Sequence, residues 1–552
     1  MSDPDNMDPG VDGWPSEAFA DRASQSLQRL KAWKKDEGES MGDVFAQDFS
    51  GTFHSASPSP IFEDESISIH RIDAVKTPKR LDGKEAIAEF ARTMLVESKP
   101  RRLSIKIVHV EMKPNVISTL LQAESSCVLP ESAVQKTSRW SCDWTMSSGA
   151  PQISSLQLQS LEVARRQGKT WFDDRTAAVI GSTTSFQQQL AHGLQHWLGR
   201  IETAHGMNYF SKHGLAVADI NNDGRDDLYV CQPGGLPNRL YLQNADGTVS
   251  DQSKAYGIDV LDRTASALFV DLDNDGDQDA ALATIMGVLI FENVDGKEFR
   301  RRQVLEFPDI DLQGLSAVDF DNDGDLDLYQ IVDYASDSSR ARQGLPSFVY
   351  HNARDGGANR LLQNNIHQDG TEWRFRDVTG EVGLHANNFR HSLAAAWEDF
   401  DNDGDQDLYV ANDYGPNSLY RNDDGRFQDV ASETDVVDFG SGMSVTWGDY
   451  DRDGAIDLYV ANMFSSAGNR ITTQNQFLPN LSAQGRTLYR RFAKGNSLFR
   501  NTGQAFQETS GAAGVEMGRW SWSSLFGDAN NDGWEDLLVA NGYITTDDSG
   551  DL

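Results

Sequence analysis

Apolar positions fall into three successive patterns along the chain, and each predicts a different kind of element. Over residues 17–35, Phe19, Leu27, Leu30 and Trp33 recur on one face, the spacing of an amphipathic helix. Residues 83–97 repeat that signature. Long alternating runs follow at Leu103–Met112, Val116–Ser125 and Ile153–Val163, as expected of half-buried strands in an antiparallel sheet. Helices followed by such a sheet predict a small α+β domain over 16–166, behind a polar, disordered stretch at 1–15. Residues 185–203 read as a third helix, with Leu190, Leu194, Trp197, Leu198 and Ile201 on its apolar face. Together with 170–181, read as a strand, it makes a linking segment over 167–209.

From Gly214 onward the apolar runs shorten and become periodic. An apolar run such as residues 393–400 or 444–450 leads into an Asp-rich loop, and a D-L-Y-V-A-N run leaves it at 407–412 and 457–462. A segment of the form N-x-L-[YF] comes next, at 238–244, 417–422 and 496–501, and then a last run such as 426–432. Four short strands per period, separated by Gly, Asn and Asp, describe one blade of a β-propeller. The loops begin at Asp219, Asp271, Asp319, Asp399, Asp449 and Asp528, at spacings of 52, 48, 80, 50 and 79 residues. A period near 50 marks a repeat architecture, and insertions of about 30 residues near 333–357 and 464–494 explain the two long spacings. The expected fold is therefore mainly β, a six- or seven-bladed propeller over 210–552 preceded by the α+β domain. The sixth copy stops after two strands. Its outer strand is expected from residues 170–181, or from residues beyond Leu552.

The loops carry the candidate chemistry. In D-x-[DN]-x-D-G-x-x-D, positions 1, 3, 5 and 9 present side-chain oxygens and position 7 a backbone carbonyl. The residues so placed are Asp219, Asn221, Asp223, Arg225 and Asp227 in the first loop, and Asp271, Asp273, Asp275, Asp277 and Asp279 in the second. The third and fourth use Asp319, Asp321, Asp323, Asp325 and Asp327, and Asp399, Asp401, Asp403, Asp405 and Asp407. The fifth and sixth use Asp449, Asp451, Asp453, Ala455 and Asp457, and Asp528, Asn530, Asp532, Trp534 and Asp536. Hard oxygen donors without imidazole select Ca²⁺, about six ions in all, because Mg²⁺ tolerates distorted geometry poorly. An EF-hand is excluded. Its twelfth position needs an acidic residue between helices, and here that position holds Val230, Leu282, Gln330, Val410, Val460 and Val539 between strand-like flanks.

Charge narrows the partners. The net charge of −35 leaves no basic surface for nucleic acid. No window approaches the 18 or so apolar residues of a membrane span, and the acidic start of the chain shows no signal peptide. Cys127, Cys142 and Cys231 are too few for a disulfide framework. Buried free thiols are expected, with a Cys127–Cys142 bridge as the alternative should their strands pair.

The loops, residues 214–224 and the N-x-L-[YF] strands together resemble the FG-GAP/VCBS repeat of integrin α subunits and cartilage acidic protein-like chains. The resemblance covers about 210–548. It implies Ca²⁺ held between blade strands and a role in adhesion or protein contact. The element order of 16–166 resembles the NTF2-like, or SnoaL-like, cone fold.

Several other residues admit two readings. His192 and His196 have zinc-compatible spacing, but no acidic residue completes the motif at Gly193, and an ordinary helix surface is expected. His54, Asp64, His70 and His109 could act as acid and base in a cone pocket, or be scattered polar residues. Trp397, Trp447, Trp520 and Trp522 pack between blades or stack on sugar. No catalytic motif of Ser, Cys, P-loop or Rossmann type occurs. The expected function is recognition of a protein or glycan by a monomeric, extracellular, cell-surface or periplasmic chain, through propeller loops and the two insertions, with structural Ca²⁺. The alternative is an enzyme or small-molecule binder using a pocket in residues 40–165.

Overall fold

The computed structural model describes residues 13–32, 44–55, 57–72, 78–96, 102–114, 116–147, 149–202, 213–307, 310–335, 351–366 and 372–542. The expected disorder at 1–15, most of the first insertion and the last ten residues lie largely or wholly outside these. The fold is mainly β and divides into two compact units. One comprises Met1–Asp173, Ser465–Arg486 and Asp547–Leu552; the other Asp174–Phe464 and Thr487–Thr546.

The first unit is built on one eight-stranded sheet. Its strands are β1 (Phe45–His54), β2 (Ser59–Glu63), β3 (Ile67–Ile72), β4 (Pro78–Asp82), β5 (Arg102–Lys113), β6 (Val116–Leu129), β7 (Ser132–Ser147) and β8 (Ala150–Gln167). They run in the order β2-β3-β8-β7-β6-β5, with β1 parallel to β8 and antiparallel to β4. Along β6 every second residue from Thr119 to Cys127 is buried, which is the alternation read from the sequence. Register shifts at Arg139/Trp140, Asp143/Trp144 and Ile107/His109 are the irregularities that bend a sheet. Helices α1 (Pro15–Gln28) and α2 (Gly83–Met94) supply Phe19, Leu27 and Phe90 to a core with Phe45, Phe49, Phe53, Trp140 and Trp144, all at most 3% exposed. Trp140 sits edge-on to Phe90 and Phe53 at 4.9 and 6.0 Å.

Part of the second insertion, Ser465–Arg486, belongs to this unit. In the helix Ser466–Thr472, buried Arg470 donates to the Ile107 carbonyl at 2.8 Å and pairs with Glu17 at 3.0 Å. Gln474 donates to the same carboxylate at 3.2 Å.

The second unit is a series of small antiparallel sheets. The first four-stranded sheet has β9 (Leu215–Ala218), β10 (Asp227–Val230), β11 (Arg239–Gln243) and β12 (Val249–Asp251). The second has β13 (Thr264–Val270), β14 (Asp279–Thr284), β15 (Gly287–Val294) and β16 (Glu298–Glu306), and the third β17 (Ile310–Val318), β18 (Asp327–Ala335), β19 (Arg360–Asn364) and β20 (Phe375–Asp377). The fourth has β21 (His391–Glu398), β22 (Asp407–Asp413), β23 (Ser418–Asn422) and β24 (Phe427–Asp429), and the fifth β25 (Gly442–Gly448), β26 (Asp457–Asn462), β27 (Ser497–Asn501) and β28 (Phe506–Glu508). A sixth has two strands, β29 (Ser521–Gly527) and β30 (Asp536–Asn541). The first strands of successive sheets touch in sequence from β9 to β29. At the two ends of the series Leu215, Val217 and Leu525 are 68, 64 and 57% exposed.

Three local expectations change. Residues 170–181 form no strand: the segment is irregular, with one helical turn at Thr176–Val179, so it does not complete the sixth sheet. The 185–203 helix is two short pieces, a π-turn Phe186–Leu190 and a helix Leu194–Leu198, separated where Gly193 is extended. Buried Gln189 is the cause in part, since its amide is bound by Gln232, the Pro237 carbonyl and the Arg239 fork. The Cys127–Cys142 alternative falls on register: β6 and β7 pair, but Cys127 faces Val134 and Cys142 faces Thr119. All three thiols are free and buried.

Candidate metal centres

Each Asp-rich loop joins the first strand of a sheet to the second, and its fold follows from its own side chains. The position-1 carboxylate accepts the backbone N–H groups of positions 5 and 6, as in Asp319 with Asp323 and Gly324, both at 3.0 Å. Gly at position 6 has a positive φ, +95° at Gly276, a conformation that side chains resist. Position 4 is also left-handed in every loop, with φ between 55° and 60°, and is Asn in five of six. Asn tolerates that region best among residues with side chains.

Position 9 opens the second strand and is buried in the first five loops. Asp279 accepts from the Leu272 N–H at 3.0 Å and the Asn293 N–H at 2.8 Å. Asp327 and Asp407 repeat the pattern with Phe320 and Asn364, and with Phe400 and Asn422. One carboxylate therefore ties its loop to the third strand of its own sheet.

Among the described residues, four acidic groups of three converge so that one oxygen of each lies within 4.8 Å of the others. They are Asp271, Asp273 and Asp279; Asp319, Asp321 and Asp327; Asp399, Asp401 and Asp407; and Asp449, Asp451 and Asp453. The first three use positions 1, 3 and 9, the last positions 1, 3 and 5. Position 5 accepts the position-7 N–H in every loop, as Asp275, Asp323, Asp403 and Asp453 do. Loops one and six have Asn at position 3, and the amides of Asn221 and Asn530 donate to Asp223 and Asp532.

This arrangement is electrostatically unsatisfied. Burial, followed by the charge of Asp275, pushes Asp273 up to about 6. Burial raises Asp279, Asp327 and Asp407 to about 8 and Asp457 to about 7, against their backbone hydrogen bonds and with further upward push from neighbouring carboxylates. Asp321 Oδ1 and Asp451 Oδ1 are buried and accept no hydrogen bond. Carboxylates converging in an all-oxygen set, with oxygens such as Asp321 Oδ1 and Asp451 Oδ1 left without a donor, fit a hard cation. The fit is graded. Glu292 adds negative charge beside Asp273 in the second loop, Gln363 donates to Asp321 at 2.8 Å in the third, and in the fifth Arg500 occupies Asp451 and Asp453 at 2.5 and 2.7 Å. Sequence spacing did not expose that last competitor, because Arg500 arrives from β27.

The other candidates are dispersed. His70 on β3 and His109 on β5 have three strands between them. Asp64 caps its own turn, and its hydrogen bond from the Ile67 N–H holds its carboxyl below the usual range. His109 lies 3.2 Å from Thr473 Oγ1. The His192 and His196 rings stack face to face at 4.0 Å. Trp397 packs edge-on against Tyr329 and Phe427, and Trp447 against Tyr409. Trp522 is 39% exposed.

The FG-GAP-like repeat model matches residues 219–282, 271–329 and 399–460, so the chain carries three FG-GAP-like repeats. No curated protein matches. Among solved structures, similarity extends to an Agrocybe aegerita lectin described as recognising non-reducing terminal N-acetylglucosamine. It is 15% identical over 61% of this chain and 76% of that one, with a TM-score of 0.34. The V. cholerae biofilm matrix protein Bap1 is 12% identical over 47% of this chain and 36% of that one, with a TM-score of 0.28. A structure described as Rd1NTF2_04 with long sheet is 13% identical, covering 25% of this chain and 98% of that one, with a TM-score of 0.17.

Proposed function

We propose that residues 210–552 form a calcium-stabilised β-propeller whose task is recognition or adhesion, preceded by a cone-like, NTF2-like α+β domain. The observation that carries this reading is the recurrence of convergent, under-donated carboxylates at the same place in consecutive four-stranded sheets. Three FG-GAP-like repeats support it.

In each loop the position-1 carboxylate sets the turn; in the second, third and fourth loops positions 3 and 9 face it, in the fifth positions 3 and 5 do, and the backbone carbonyl of position 7 would complete the set. Arg225, Asp277, Asp325, Asp405, Ala455 and Trp534 would contribute in that last way. Bound Ca²⁺ would supply two positive charges to each site and so offset the repulsion among its carboxylates. The ions are structural, about six in number, because the chain's own oxygens fill the coordination sphere. Extracellular or periplasmic calcium levels suit such loops. No helix among the described residues is long and apolar enough to cross a membrane. The ligand is a protein or glycan met by the propeller loops, and the chain acts as a monomer. The apolar filling of the first unit by Trp140, Phe53 and Phe90 favours this reading over a catalytic pocket there.

Calorimetric titration of calcium into chelator-stripped protein tests the proposal. Uptake of several ions is expected, each adding about 2.7 kcal/mol of stability at a hundredfold excess over its Kd. No heat of binding, and a melting temperature indifferent to EDTA, would refute it.

A further inference from the structure

In the first three loops the left-handed residue at position 4 reaches the next loop. Asn222 Nδ2 donates to Asp277 Oδ1 at 2.5 Å, Asn274 Nδ2 to Asp325 Oδ1 at 2.6 Å, and Asn322 Nδ2 to Asp405 Oδ1 at 2.9 Å. The acceptor is always the seventh residue of the following loop, whose side chain had no part in the expected ligand set. The pattern then stops. The seventh residue of the fifth loop is Ala455, which offers Asn402 no side-chain acceptor. At the last step a different pair meets, the Arg452 guanidinium over the Trp534 ring at 4.4 Å.

This interruption is confined to the loop tips. Behind them a second set of contacts continues past it: Asn293, Asn364, Asn422 and Asn501 each donate to a carbonyl of the preceding loop, at Ile220, Leu272, Phe320 and Phe400, within 2.8–2.9 Å. The fourth and fifth sheets are therefore joined like the others, and only the tip contact is missing.

We infer that the asparagine relay couples calcium uptake among loops one to four, and that the fifth and sixth loops titrate outside this array. The inference rests on the calcium reading of the loops. Position 7 lies between two ligand positions of its own loop, and position 4 lies between two ligand positions of the loop before. Closing one loop around an ion therefore fixes the partner that holds its neighbour closed. A loop already ordered by its neighbour loses less conformational freedom when it closes in turn.

The test is calcium titration of the full chain, followed by calorimetry and by melting temperature. The unmodified protein should show a steep phase covering the coupled loops and a separate, shallower phase. Asp325→Ala removes an acceptor and should flatten the steep phase, lowering affinity there by about fivefold, the lower range for linked sites. Asp325→Asn removes the same charge but keeps an acceptor, and should retain the steepness. Ala455→Asp supplies the missing acceptor and should draw the fifth loop into the steep phase. Independent sites in the unmodified protein, or equal loss of steepness in Asp325→Ala and Asp325→Asn, would overturn the relay while leaving calcium binding intact. A chain that takes up no calcium would overturn the calcium reading, and the relay with it.

Discussion

The side-chain amide of Asn364 donates to the carbonyl oxygen of Leu272 at 2.8 Å, across 92 positions of sequence. The same amide holds the Leu326 carbonyl at 3.1 Å, while the Asn364 N–H donates to Asp327. One buried residue thus fastens the loop of its own sheet and the loop of the sheet before.

Asn364→Ala should consequently cost about 2 kcal/mol, since buried acceptors lose their donor. Asn365→Ala, next door and exposed, is the control and should change little. Urea unfolding of the two variants at saturating calcium measures the difference.

Arg500→Gln should raise cation affinity at the fifth loop several-fold, because the guanidinium occupies Asp451 and Asp453. The same change at Arg92, which pairs with Glu89 on α2 of the first unit, should leave calcium titration unaltered. Equal curves for Arg500→Gln and the parent would show that the arginine does not compete.

Proton linkage should invert between the metal-free and calcium-loaded forms. Burial holds Asp279, Asp327 and Asp407 near 8 in the folded chain, against 3.8 for the unperturbed group. Between those values the metal-free folded state keeps protons that the unfolded state releases, so these residues make stability fall as pH rises from about 4 to 8. Calcium requires the ionised form, so its stabilising increment should grow over the same interval. Melting curves of both forms across this range provide the comparison.

Arg470→Met should destabilise the first unit by about 3 kcal/mol, because Glu17 would remain as an uncompensated carboxylate, 12% exposed. The double change Arg470→Met with Glu17→Leu should recover much of that loss. Chemical denaturation followed by tryptophan fluorescence separates the two outcomes.

What the residues announced in advance were the features fixed locally. The nine-residue loops, the D-L-Y-V-A-N strands and the alternation through β6 each depend on neighbours within a few positions, and all three lie where spacing put them. The misread segments depend on distant partners. Residues 185–203 carry a helical stripe, yet Gln189 is claimed by Gln232 and Arg239, and the helix breaks at Gly193. The contacts of the insertion after the fifth loop were not legible either, because nothing in its composition points to Glu17 and Ile107, more than 360 residues earlier. The position-7 side chains were overlooked for a related reason: a motif read one copy at a time cannot reveal what one copy does to the next.

The placement of Ser465–Arg486 in the first unit carries a practical consequence for dissecting this protein. That unit is not a contiguous stretch of gene. A fragment ending at Asp173 would keep the sheet but forfeit Arg470, stranding Glu17 and baring the Ile107 carbonyl. Nor would one protease cut at the 173–174 junction free the halves, since the polypeptide passes from one to the other again at 464–465 and at 486–487.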